Sequence, residues 1–172
     1  MVKCSSSTST KMSKLLPVVL MGVGLSAAVS LPAVANDVLY HGNFCTPNKS
    51  AINTIERSQW GVYNTSNGSI ATVECPFDLP FNGSLVVNNV WATVYDRDPN
   101  ADVTCTLTGV DMAGNTLWSR TSSSSGSGET HQFLSFSPSS TTLGTMNMIC
   151  SIPPATSSGV SHVTTYRVIT TP

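Results

Sequence analysis

Asp96, Asp98, Asn100 and Asp102 stand at alternate positions in the segment Tyr95-Asp96-Arg97-Asp98-Pro99-Asn100-Ala101-Asp102, the densest group of acids in the chain. Hard oxygen ligands at that spacing suit a calcium ion. The segment is no EF-hand, because its sixth position is Ala101, where a glycine is required, and its twelfth is Leu107, where a bidentate glutamate belongs. Its other reading is a turn between strands, since Asp-Pro-Asn is ordinary turn chemistry. A second group of residues suits sugars. Trp60 and Trp118, with Tyr63, Tyr95 and Tyr166, could stack on pyranose rings if they shared an exposed face. Trp60 lies beside Gly61 and Trp118 beside Ser119-Arg120, so these two tryptophans are expected to be exposed, whereas Trp91, inside an apolar strand, is expected in the core. For acid–base work the sequence offers His41, His131, His162, Glu56, Glu74 and Glu129. It holds no G-x-S-x-G, no H-E-x-x-H and no phosphate-cradling glycine loop. His131 and His162 sit in alternating segments and could meet across a sheet as an acid–base or ligand pair. Without a motif, the expectation is a protein that is not an enzyme.

Chemistry of this kind must be carried by a framework, and the cysteines indicate what stiffens it. Cys45, Cys75, Cys105 and Cys150 follow an export-type leader, and an even number of cysteines in an oxidising compartment reads as two disulfides. Of the three pairings, we expect Cys45 with Cys75 and Cys105 with Cys150, tying the N-terminal part to an early strand and joining two core strands. Zinc is disfavoured, because the gaps of 30, 30 and 45 residues contain no short C-x-x-C.

The leader itself is legible. Lys3, Lys11 and Lys14 precede an uncharged run from Leu15 to Ala35 that ends in Ala33-Val34-Ala35, the pattern of a signal peptide over residues 1–35 with a small-residue cleavage site. Pro17, Gly22, Gly24 and Pro32 interrupt the run, so a lasting membrane span is not expected after cleavage. Cys4 precedes the apolar stretch and cannot be a lipidated cysteine following it. The expected location is secreted or periplasmic. Residues 36–172 carry five Lys and Arg against nine Asp and Glu, a formal net charge of −4, with the cations scattered. Nucleic acid is therefore excluded as an expected partner. Serine and threonine supply 38 of these 137 residues, a polar surface with few charges.

Residues 36–56 read as an irregular N-terminal arm with a helical turn near Ser50–Arg57, and residues 57–172 as one β domain. Ser58–Asn64 and Ser69–Cys75 flank Thr65-Ser66-Asn67-Gly68, whose Asn-Gly predicts an antiparallel hairpin. Val87–Arg97 alternates with apolar residues on both faces and is predicted to be a central strand. Asp102–Val110 puts Val103, Cys105 and Leu107 on one face and Thr104, Thr106 and Thr108 on the other. Further strands fit Thr116–Thr121, Thr130–Ser137, Met146–Ile152 and Gly159–Thr170, with a Ser/Gly loop at 122–128. About eight short strands without a sustained helical period predict an antiparallel β-sandwich, jelly-roll or immunoglobulin-like.

The segments Gln59-Trp60-Gly61-Val62-Tyr63-Asn64-Thr65-Ser66, Ala71-Thr72-Val73-Glu74-Cys75-Pro76, Val94-Tyr95-Asp96-Arg97-Asp98-Pro99 and Val103-Thr104-Cys105-Thr106-Leu107 resemble small exported bacterial proteins of unknown function. The resemblance covers most of the chain after the leader. It implies a signal-peptide-bearing β domain and supplies no activity, cofactor or site residue. The leading expectation is an exported, non-enzymatic domain that binds polysaccharide or a cell-surface component. A structural or surface-assembly protein is the alternative, and a hydrolase using His131 or His162 comes third. No cofactor is expected beyond the calcium that the acidic loop could hold.

Overall fold

The computed structural model of the chain describes residues 36–79, 86–111, 113–128, 130–138 and 145–171; the leader expected over 1–35 lies outside them, as does Glu129. The described residues form eleven strands and one 3₁₀ turn, Gly42–Phe44. In chain order the strands are β1 (Asn36–His41), β2 (Thr46–Pro47), β3 (Ile55–Ser58), β4 (Gly61–Asn64), β5 (Ala71–Pro76) and β6 (Val86–Tyr95). Then come β7 (Thr104–Val110), β8 (Thr116–Ser123), β9 (His131–Phe136), β10 (Thr145–Ile152) and β11 (His162–Thr171). All pair antiparallel, in two sheets. The larger runs β3-β4-β11-β6-β9, with β1 added to β11, and the smaller runs β2-β5-β10-β7-β8.

The period-two patterns explain this arrangement. On β7, Cys105 and Leu107 are buried while Thr104, Thr106 and Thr108 face out, and on β10 Met146, Met148, Cys150 and Ile152 are buried. On the larger sheet Val90, Ala92 and Val94 of β6 and Val163, Tyr166 and Val168 of β11 point inward. These inward sets join in a single apolar cluster. Tyr166 closes one margin of it. Its ring stacks on Tyr40 at 4.9 Å and meets Phe77 edge-on at 5.2 Å, and its hydroxyl donates to the Pro76 carbonyl at 2.8 Å. Burial pushes the Tyr166 hydroxyl pKa well above its ordinary value.

Val87–Arg97 is central, as its two-faced pattern predicts, lying between β11 and β9. Both disulfides join the expected partners, Cys45–Cys75 and Cys105–Cys150, and Cys105 and Cys150 are direct cross-strand partners on β7 and β10. Four expectations need correction. The strands number eleven, because residues 36–56 are not an arm: they supply β1 to the larger sheet, β2 to the smaller and the start of β3. The helical turn expected over Ser50–Arg57 shortens to hydrogen-bonded turns ending in one i→i−4 bond, from the Ile55 amide to the Ala51 carbonyl at 3.1 Å, after which β3 takes Ile55–Ser58. Ser58–Asn64 is not one strand but a tight hairpin, Ser58 pairing with Gly61 across Gln59-Trp60. Gly61 has φ +118°, and a Cβ there would stand 2.2 Å from the Val163 carbonyl oxygen, so only glycine fits.

The Asn67-Gly68 hairpin is also absent. β4 and β5 belong to different sheets, and Gly68 does not adopt the left-handed conformation that the turn requires. Asn64 directs the crossing instead. Fully buried, it donates from Nδ2 toward the carbonyls of Ser69, Ile152 and Pro153 at 2.8, 3.1 and 3.1 Å and accepts from the Ser66 amide at 2.9 Å. These bonds satisfy backbone groups where the chain leaves one sheet for the other.

A candidate binding face on the larger sheet

The inward residues of β4, β11, β6 and β9 fix the phase of their neighbours, so the residues between them all emerge on the outer face. Register then lines up Tyr63, His162, Tyr95 and His131 in one row across four strands. Their rings touch in sequence: Tyr63 to His162 at 5.2 Å, His162 to Tyr95 at 5.8 Å and Tyr95 to His131 at 5.3 Å between centroids. At one end the Tyr63 hydroxyl donates to Glu56 Oε2 at 2.8 Å, which raises its pKa because ionisation would break that bond. Arg97 donates from Nη1 to the Tyr95 hydroxyl at 3.0 Å and lies 5.6 Å from that ring's centre.

Trp60 stands above this row at the tip of the β3–β4 hairpin and is 60% exposed. The hairpin is anchored from below: Asn43 Nδ2 donates to the Ser58 carbonyl at 2.8 Å, and Arg57 Nη2 donates to the Cys45 carbonyl at 2.9 Å. With Tyr95, His131, His162 and Thr164, Trp60 lines a cleft of about 330 Å³. Further along the face come two more rows in register, His41–Thr165–Thr93–Phe133 and Leu39–Arg167–Trp91–Ser135. Leu39, Trp91, Thr93, Phe133 and Arg167 line a second cleft of about 280 Å³. There Arg167 lies 5.6 Å from the Trp91 ring centre and pairs with Asp37, whose carboxyl it holds below the usual range. Both partners are exposed, so the pair adds little stability, but it sets two planar polar groups beside an indole.

The face brings together Trp60, Tyr63, Tyr95, His131 and His162, and it leaves other expected site residues elsewhere. Trp118 is buried, a correction to its expected exposure: it lies on the inward side of β8, directly opposite Gly109. A Cβ on Gly109 would come within 2.4 Å of the Trp118 ring, so the glycine makes the space that the indole fills. Trp91 is the converse correction, half-buried on the outer face because Val90 and Ala92 take the inward phase. The acidic loop does not gather its carboxylates. Asp96 and Asp98 are buried while Asn100 is exposed, and among the described residues no group of three His, Cys, Asp or Glu is arranged to hold a metal. Asp98 Oδ1 accepts from the Asn100 amide at 2.8 Å, as turn residues do, and Asp102 Oδ1 accepts from the Gly126 amide at 3.3 Å, tying this loop to the Ser/Gly loop. His131 and His162 share the face, but Tyr95 separates them by two strand spacings, about 9.5 Å of backbone.

Burial holds His162 below the ordinary histidine value of 6.5, with the charge of His131 as the second cause. The folded protein thus favours neutral His162, and on acidification the unfolded chain takes up the proton first. Stability is expected to be full above about pH 6.5, to decline as pH falls toward the folded value of His162, and to level off below it. Melting curves at pH 8, 6.5 and 5 check this. His162→Asn should flatten that part of the slope, and an unchanged slope in the variant would remove His162 as its source.

No family model matches the chain, and no curated protein matches it. Among solved structures, one of infectious bursal disease virus, Gx strain, is similar at a TM-score of 0.46 with 9% identity, over 88% of this chain and 36% of the other. TmCBM61 in complex with β-1,4-galactotriose gives 0.40 with 13% identity over 74% and 86%. Dimeric latent PorU from Porphyromonas gingivalis gives 0.40 with 15% identity over 86% and 14%. The chain thus spans about a third of the viral structure's length and a smaller part of PorU.

Proposed function

We propose that this is an exported, non-enzymatic jelly-roll domain that binds polysaccharide on the outer face of its larger sheet. The observation that carries the reading is Trp60, exposed at the rim of a cleft whose wall holds His162, Tyr95 and His131, three of a continuous row of four rings. An aromatic surface bordered by Arg97, Glu56 and the Arg167–Asp37 pair offers a sugar both apolar faces for its C–H groups and planar hydrogen-bonding groups for its hydroxyls. The jelly-roll assignment is supported by β4 to β11, which order as β4-β11-β6-β9 and β5-β10-β7-β8 with β1 to β3 as additions. Export is supported by the leader pattern and by two disulfides whose four cysteines are fully buried.

Affinity electrophoresis of the oxidised protein through gels containing cellulose derivatives, mannan, xylan, galactan or alginate tests the reading. At least one polymer should retard the wild-type protein. Trp60→Ala should weaken that retention on the order of tenfold, equivalent to ~1.4 kcal/mol. Its melting temperature should hold, because the side chain is exposed. Migration unaffected by every polymer would sink the proposal.

A further inference from the structure

We infer that the ligand of this face is an internal stretch of a linear, uncharged glycan lying along β6 across both clefts, a deepening that rests on the polysaccharide reading above. Tyr95 belongs to the first cleft and Trp91 to the second, four residues apart on one strand. Four residues of strand span about 13 Å, so a chain touching both centres needs roughly three or four sugars. Between the aromatic rows, Thr165 and Thr93 occupy the middle of their row. These short side chains leave a trough from one cleft to the other, bounded by Phe133 on β9, itself 73% exposed. A site for a single sugar or a chain end needs only one cleft, whereas this face repeats its aromatic and polar groups along the strand.

The charges indicate which polymer. Arg167 is paired with Asp37, Glu56 accepts from Tyr63, and Arg97 donates to the Ser158 carbonyl at 2.7 Å and to Tyr95. Of the residues lining the two clefts, Arg167 is the one that carries a permanent charge, and Asp37 neutralises it, so the trough offers hydrogen-bonding edges with little net charge for an acidic chain to seek. The occupant that fits is hydroxyl-rich and neutral.

Calorimetric titration of the full oxidised protein with cello-, manno- and xylo-oligosaccharides of two to six units, beside the parent polymers and alginate, tests this. For the retained polymer, affinity should rise at least tenfold from two units to five and then level off. Trp60→Ala and Trp91→Ala should each weaken polymer binding and flatten the dependence on length. Phe133→Ala, at an exposed position, repeats the second-cleft test without touching half-buried packing. Equal affinity for disaccharide and hexasaccharide, an effect of Trp60→Ala with none from Trp91→Ala and Phe133→Ala, or preference for alginate would overturn the inference while leaving polysaccharide binding intact. Loss of all glycan binding, or a face covered by self-association in light scattering, overturns the parent reading instead.

Discussion

Loss of both disulfides is expected to lower the melting temperature by roughly 20 °C or more. The bridges close sequence separations of 30 and 45 residues, one after the other along the chain and not overlapping. Chain entropy assigns about 4 kcal/mol to each loop, and separate loops add. The sum is comparable with the whole stability of a typical domain, about 5–15 kcal/mol. All four cysteines are fully buried on the core side of the smaller sheet, so removal also leaves gaps among Val73, Leu107 and Met148. The two bridges are unequal in place. Cys105–Cys150 joins β7 and β10 inside the sheet, whereas Cys45–Cys75 ties the start of β2, an edge strand, to β5. The double variant Cys105→Ser/Cys150→Ser should therefore melt below Cys45→Ser/Cys75→Ser. Melts of both variants, beside the wild type unfolded and refolded with and without reductant, decide the matter. A transition that reductant leaves in place would mean the bridges contribute little.

The strands most legible in the sequence are those whose burial is one-sided. Seven of the eight segments read as strands correspond to β5 to β11, because alternation such as Cys105-Thr106-Leu107-Thr108 leaves no other way to hide the apolar set, and the eighth, Ser58–Asn64, holds β4 within its hairpin. The others lack that signal: β2 is two residues long, and β3 buries only Ile55 of its four residues. Asn67-Gly68 misled because a turn signal states where the chain bends and not which sheet it enters. For the tryptophans, residue type prevailed where phase should have. Val90, Ala92 and Val94 already claim the inward side of β6, which puts Trp91 outside. Trp118 depended on the missing Cβ of Gly109 on the neighbouring strand, a contact that spacing along one chain cannot reveal. The same holds for the candidate site. Tyr63, Tyr95, His131 and His162 come from four strands, and only strand order and register place them in one row. The exposure of Trp60 was readable from Gly61 and its polar neighbours, but its place at a hairpin tip was not, because the glycine requirement at Gly61 comes from the Val163 carbonyl on another strand.

Asp96→Ala is expected to cost about 3–5 kcal/mol, far more than the loss of a turn acid exposed to solvent. Its carboxylate is fully buried and collects four bonds. Oδ1 accepts from the Asp98 amide and from Ser161 Oγ, each at 3.1 Å, and Oδ2 accepts from the Val103 amide at 3.3 Å and from Ser124 Oγ. The donors come from the loop after β6, the approach to β7, the end of β8 and the approach to β11, so one side chain secures four chain segments. Asp96→Asn keeps the shape but turns an amide N–H₂ toward donors, and should fall between wild type and Asp96→Ala in denaturant midpoint. An exposed calcium ligand predicts otherwise: modest destabilisation, and a melting temperature that rises with calcium and falls with EDTA only while Asp96 is intact. The position of Asp96 also links stability to the proposed binding face. Tyr95 precedes it, Arg97 follows it and donates its amide to Ser161 Oγ at 2.9 Å, and Ser161 precedes His162. Loosening Asp96 therefore loosens the row of rings, and Asp96→Asn should lose glycan affinity and stability together. Trp60→Ala should lose affinity alone. If Asp96→Asn keeps full affinity below its melting temperature, the row is held by its strands without the buried carboxylate.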